Sequence, residues 1–188
     1  MIFLQKYNIE KNIRFNSFFK TLEIANNRNL KLIVETGTSR GKTKFFFFNK
    51  YNWKDGMSTI MFADYAKNFN GHLHTCDISQ KNINSCKKFT KNFSKYISYH
   101  VDNSVDFLKF FKYKIDILYL DSLDSHDPET ASKHQLNEIV NSIDKLSNNS
   151  LVLLDDKGGK TRLSLDFLLK NRFKIILETK YQLLLSKI

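Results

Sequence analysis

The chain has little to bend it and little to cross-link it. One proline and six glycines occur in 188 residues, so no Pro- or Gly-rich stretch marks a linker, and residues 1–188 read as a single domain. Cys76 and Cys86 are the two cysteines. They lack metal-type spacing and stand apart from other soft ligands, so they read as reduced thiols of a cytoplasmic protein. No apolar run reaches the roughly 18–20 residues that span a bilayer, so no membrane partner is expected. The opening MIFLQKYNIEKN has a short apolar run and no small-residue cleavage site, unlike a signal peptide. Internal repeats are absent. Hydrophobic residues make up 41% and aromatics 14%, which makes the chain globular rather than disordered.

Charge is lopsided: 30 Lys and Arg against 19 Asp and Glu give a net +11. One reading is a nucleic-acid surface. The other is a Lys- and Asn-rich composition that places lysine wherever the surface tolerates it. The lysines are spread along the chain, Lys dominates over Arg, and no Arg-rich block occurs. The second reading is therefore preferred, and nucleic acid stays an open but less favoured partner.

Apolar spacing over 11–27 predicts an amphipathic helix within an N-terminal segment, 1–29. KLIVET is a buried strand, followed by the turn GTSRG and an insert, 42–57, that carries four consecutive phenylalanines. The insert reads either as a plug on the sheet flank or as a lid with Tyr51 and Trp53. MSTIMFADYAKNF is a helix that Ser58 can cap. Four further strands are expected in GHLHTCDIS, YISYHVD, IDILYLD and SLVLLDD. Helices alternate with them at 80–93 (cap Ser79), 104–112 (cap Ser104), 129–146 and 162–171. FKIILETKYQLLLSKI reads as a terminal hairpin. Strands alternating with helices imply a mostly parallel, doubly covered sheet.

Each of the first five strands ends at or beside an acid: Glu35, Asp77, Asp102, Asp121, and Asp155 with Asp156. In open α/β sheets the ligand lies beyond the carboxyl ends of the strands. One strand-end acid is as readily a cap or turn residue. Five on one rim point to a site.

This order of elements with these acids resembles the class I S-adenosylmethionine-dependent methyltransferase superfamily, from about residue 30 to the end. ETGTSRG matches its first motif at Glu35, Gly37 and Gly41, with Ser39 replacing the middle glycine. The resemblance implies an α/β, Rossmann-like three-layer sandwich with a seven-stranded, mostly parallel sheet and an antiparallel C-terminal strand. It implies S-adenosyl-L-methionine as cofactor, with contacts drawn from Glu35, Thr36, Gly37, Thr38, Ser39, Gly41 and Ser58 near the methionine part. Asp77 and Ile78 would serve the ribose side, and Asp102, Asn103 and Ser104 the adenine, with Asp121 at the reacting end. A dinucleotide is the competing ligand, but the glycine spacing is not Gly-x-Gly-x-x-Gly.

Asp121, Asp155 and Asp156 on neighbouring strand ends would repel one another unless a positive charge lies between them. A divalent cation such as Mg²⁺ is one answer, and the arrangement resembles catechol-type O-methyltransferases and cephalosporin-hydroxylase-like relatives. The alternative is pairing with Lys157 or Lys160. No lysine follows Asp121 until Lys133, so His126 is the candidate base, with Asp121 beside it. His134 and Glu138 are expected to pair on a helix face. The expected reaction is methyl transfer to an oxygen or nitrogen of a small-molecule acceptor. The rivals are a metal-dependent hydroxylase-like or other non-methylating enzyme on the same fold, and an RNA-binding or RNA-methylating protein. DSLD after the fourth strand departs from the Pro-Pro-aromatic stretch of DNA amino-methyltransferases. The aromatic insert is a natural patch for a homodimer.

Overall fold

The computed structural model describes residues 1–45, 48–53, 57–123 and 127–187. A seven-stranded sheet is built from β1 (Leu32–Thr36), β4 (His72–Asp77), β5 (Ile97–Val101), β6 (Ile115–Leu120), β7 (Leu146–Leu154), β8 (Phe173–Glu178) and β9 (Leu183–Lys187). Their order across the sheet is β5-β4-β1-β6-β7-β9-β8. The first five pair in parallel, and β9 runs antiparallel to both β7 and β8. This is the mostly parallel sandwich that the resemblance implies. From β1 the chain winds outward through β4 and β5, then returns to the other side of β1 for β6 and β7. The strand order therefore reverses beside β1, which puts a topological switch point at its carboxyl end.

Alternation within one strand shows how both faces are filled. On β6, Ile117 and Tyr119 enter one core cluster while Leu118 and Leu120 enter the other. The first cluster takes up α1 (Phe15–Asn27) and α2 (Ser58–Phe69). At its centre Phe18, Phe62 and Tyr119 lie 5.3–5.5 Å apart by ring centroid, the spacing at which aromatic rings attract edge to face. The second cluster takes residues from α4 (Ser104–Phe110), α5 (Pro128–Ser142) and α6 (Arg162–Lys170). α3 (Gln80–Phe89) follows β4.

The structure moves several element ends. The N-terminal helix begins at Phe15, after a 3-10 helix over Ile2–Tyr7. α3 stops at Phe89, where Thr90 donates to the Cys86 carbonyl, and a 3-10 helix follows. β7 starts at Leu146, ahead of a register shift at which Ser150 donates to the Ile115 carbonyl. Ser79 does cap α3. Asn103, not Ser104, caps α4: Ser104 is already the first helical residue, and the Asn103 side chain ahead of it accepts from the Val105 and Asp106 amides.

Within the insert, β2 (Lys42–Phe45) and β3 (Phe48–Tyr51) pair as a separate antiparallel ribbon. Trp53 packs on Tyr7, with ring centroids 6.0 Å apart, as part of the first core. The side chains of residues 42–51, and with them the Phe45–Phe48 run and Tyr51, lie outside the described residues, as do Asp55 and Gly56. Across β4 and β5 runs a row of histidines. His74 stacks on His100 at 5.3 Å and meets His72 and Phe111 edge-on.

Candidate active site at the sheet switch point

The turn after β1 has to be glycine. Gly37 has φ +82°, and a Cβ there would lie 2.0 Å from the Asp121 carbonyl oxygen. No L side chain fits, so the β1 turn lies against the backbone that leaves β6. Gly41 has φ +77°, and its missing Cβ makes room for the Phe89 ring.

Glu35 holds this turn in place from behind. Its carboxylate is wholly buried and accepts hydrogen bonds from Ser58 Oγ at 2.5 Å, Thr75 Oγ1 at 2.6 Å and Thr59 Oγ1 at 2.7 Å. Thr59 Oγ1 in turn accepts from the Ser39 amide at 2.9 Å, and Ser39 Oγ accepts from the Thr59 amide at 3.1 Å. The start of α2 is thus tied to the glycine turn through hydroxyls. Ser58 spends its hydroxyl here, and the N-cap position of α2 is Met57 with no side-chain cap. Burial pushes the Glu35 carboxyl up to about 7, against the pull of its three hydroxyl donors.

Two adjoining cavities open at the carboxyl ends of β1, β4 and β6. The first, of about 210 Å³, is lined by Gly37, Thr38, Ser39, Ser58, Asp77 and Ile78, and by Arg14, Arg40, Asp121, Asp155 and Asp156. The second, of about 230 Å³, shares Gly37, Asp77 and Ile78 and continues past Cys76, Asn103, Ser104 and Leu123 to His134. The Asp77 carboxylate is oriented by the Ser79 amide at 2.8 Å and by Asn82 Nδ2, 3.1 Å from each oxygen. Ile78 beside it is 74% exposed, so an apolar side chain is held open at the cavity mouth.

Nine of the thirteen residues expected at a cofactor therefore line the cavities. Glu35, Thr36, Gly41 and Asp102 do not. Glu35 and Thr36 are buried behind the turn, and Asp102 accepts from the Asn103 amide on the exposed rim. His126 lies outside the described residues. Sequence reasoning missed three contributors. Asn82, on the first turn of α3, was readable as a partner for Asp77. His134 has the expected neighbour Glu138, 3.7 Å away, but its Nε2 also lies 3.0 Å from both Ser104 Oγ and Ser122 Oγ at the end of the second cavity. Arg14 arrives from 141 residues away in sequence, and no local pattern announces it.

The three rim acids converge as expected: one ligand oxygen from each of Asp121, Asp155 and Asp156 lies within 4.8 Å of the others. Protein cations already meet them. Arg14 Nε donates to Asp155 Oδ1 at 2.8 Å and Arg14 Nη2 to Asp156 Oδ1 at 3.1 Å. Lys160 Nζ lies 3.1 Å from Asp156 Oδ2 and 3.4 Å from Asp121 Oδ1. Tyr119 donates to Asp121 Oδ2 at 3.2 Å. Burial, then repulsion from Asp155, holds the Asp121 carboxyl well above the usual carboxylate range, with Lys160 opposing. Burial pulls the Arg14 guanidinium down, but the hydrogen bond and charge of Asp155, with Tyr119 and Asp121, together outweigh it and Arg14 stays charged. Carboxylates already engaged by a guanidinium and an ammonium do not fit a divalent ion, whose own charge would face both cations.

A family model described as a methyltransferase domain matches residues 53–157. The chain belongs to that family, and its fold is that of the class I methyltransferases. No curated protein matches it in sequence. Among solved structures, an rRNA methylase from Streptococcus thermophilus shares 11% identity at a TM-score of 0.64, covering 96% of this chain and 99% of that one. An O-methyltransferase from Bacillus cereus in complex with SAH shares 12% at 0.64, covering 100% and 91%. An SAH-bound methyltransferase from Podospora anserina shares 13% at 0.62, covering 92% and 78%.

Proposed function

We propose that this protein is an S-adenosylmethionine-dependent methyltransferase acting on an oxygen or nitrogen of a small molecule. The observation that carries the reading is the cleft at the switch point, where a turn that only glycine can make faces an oriented carboxylate, Asp77. The residues present fit the cofactor. The Gly37–Ser39 turn leaves room for backbone to approach the methionine part, and Ser58 lines the same cavity. Asp77, held by Ser79 and Asn82, keeps acceptor capacity for a ribose diol. Ile78, Ser104 and His134 line the space left for the base.

Bound there, the cofactor supplies a methyl group on a positively charged sulfur, already a strong electrophile. The protein's task is then chiefly to position the acceptor. Asp121 adjoins both the turn and the rim acids. In its ionised form it is the stronger base for that raised proton affinity, placed to take a proton from the acceptor.

Calorimetric titration with S-adenosylhomocysteine tests the reading. Micromolar binding is expected, weakened at least about tenfold in Asp77→Ala. Asp121→Asn should keep that binding and lose turnover on any acceptor found. A folded wild-type protein that releases no heat with either form of the cofactor would favour a non-methylating enzyme on this scaffold.

A further inference from the structure

The rim acids stand where a metal would be expected, yet the first positive charge they meet is Arg14. This residue precedes α1, on the far side of the sequence from β7. Its side chain is 11% exposed and that of Lys160 is 8%. Arg14 also lies over the Tyr181 ring, 5.5 Å from its centroid. Both cations are thus built into the site, unlike long side chains that swing through solvent. Arg14 and Lys160 bring two positive charges directly onto these carboxylates, and Arg40 lines the same cavity. A divalent ion would have to sit against these cations in a partly desolvated place, where like charges repel strongly.

We propose that Arg14 and Lys160 occupy the electrostatic role of a divalent cation at the rim, so that the N-terminal segment completes a metal-free acceptor end of the cleft. Arg14 is a positioning residue in this arrangement. It fixes Asp155 and Asp156 and, through the charge it supplies, lets three acids share one rim. The inference extends the proposed function but rests on contacts that are present whatever the reaction.

The test is a titration of the full chain with Mn²⁺ alone, reading free ion by electron paramagnetic resonance at near-neutral pH. The wild-type protein should show no saturable site below the roughly millimolar range. Arg14→Gln should gain one, at least about tenfold tighter than any wild-type binding, because it removes a charge from the acids. Asp155→Asn added to that variant should remove it again. Lys160→Met serves as the second variant, and circular dichroism checks that each is folded. A saturable wild-type site that disappears in Asp155→Asn would overturn the proposal. So would folded Arg14→Gln and Lys160→Met proteins that gain no binding. The wild-type titration decides the central point even where a variant does not fold. No cofactor is present in it, so a failure of S-adenosylhomocysteine binding is read separately.

Discussion

Gly37 and Glu35 divide the work of the β1 turn, one by having no side chain and the other by burying a charged one. At Gly37 an alanine would need both a left-handed backbone and 2.0 Å of clearance from the Asp121 carbonyl. Gly37→Ala should therefore cost about 1–3 kcal/mol of stability and reduce S-adenosylhomocysteine binding by about tenfold or more, checked by urea unfolding and calorimetry. Glu35 makes a prediction with an unusual sign. Its folded-state pKa of about 7 lies above its ordinary 4.5, so between those values the folded chain binds more proton than the unfolded one. The contribution is fully present below pH 4.5 and is lost as pH rises through 7, the reverse of a salt-bridged carboxylate. Relative to Glu35→Gln, the wild type should lose on the order of 3 kcal/mol across that window. Equal pH slopes in the two proteins would refute this.

Between β4 and β5 the row of histidines makes the opposite contribution. Burial first, then the neighbours His100 and His72, push His74 down to about 4. The unfolded chain takes up this proton first, so stability is lost as pH falls from about 6.5 through 4. A thermal-melt series on wild type and His74→Leu should show the wild type losing ground below pH 6.5, and a constant gap between the two would sink the idea. Most elements at this scale were legible in the sequence, since apolar period and caps such as Ser79 are local. The ends that moved did so for reasons that are not local. β7 gained residues because Ser150 bonds the Ile115 carbonyl on a neighbouring strand. Ser58 failed as a cap because its hydroxyl is drawn to Glu35.

For the molecule as a whole, the same distinction separates what the strand-end acids revealed from what they concealed. Asp77 and Asp121 were readable because a parallel sheet must put its strand ends on one rim. That Glu35 would face inward and Asp102 outward depends on α2 and on the rim loop, and the arrival of Arg14 depends on how the N-terminal segment wraps the sheet. The net charge of +11 belongs to this scale too. Filter binding to unstructured RNA should show weak association that falls by a factor of about ten or more between 50 and 200 mM salt, with no specific component. Tight binding that survives the higher salt would instead favour RNA over a small molecule as partner.

β9 lies inside the sheet, although it follows every other described strand in the chain. Among the described residues β8 pairs with β9 alone, and Ser17 on α1 bonds Gln182 just ahead of β9. During synthesis, then, β8 emerges from the ribosome with no template to join, and α1 waits beside an unfinished wall. The β8–β9 pair is then added to the open edge of β7. The interval before Lys187 appears is when the chain has most need of protection from other chains.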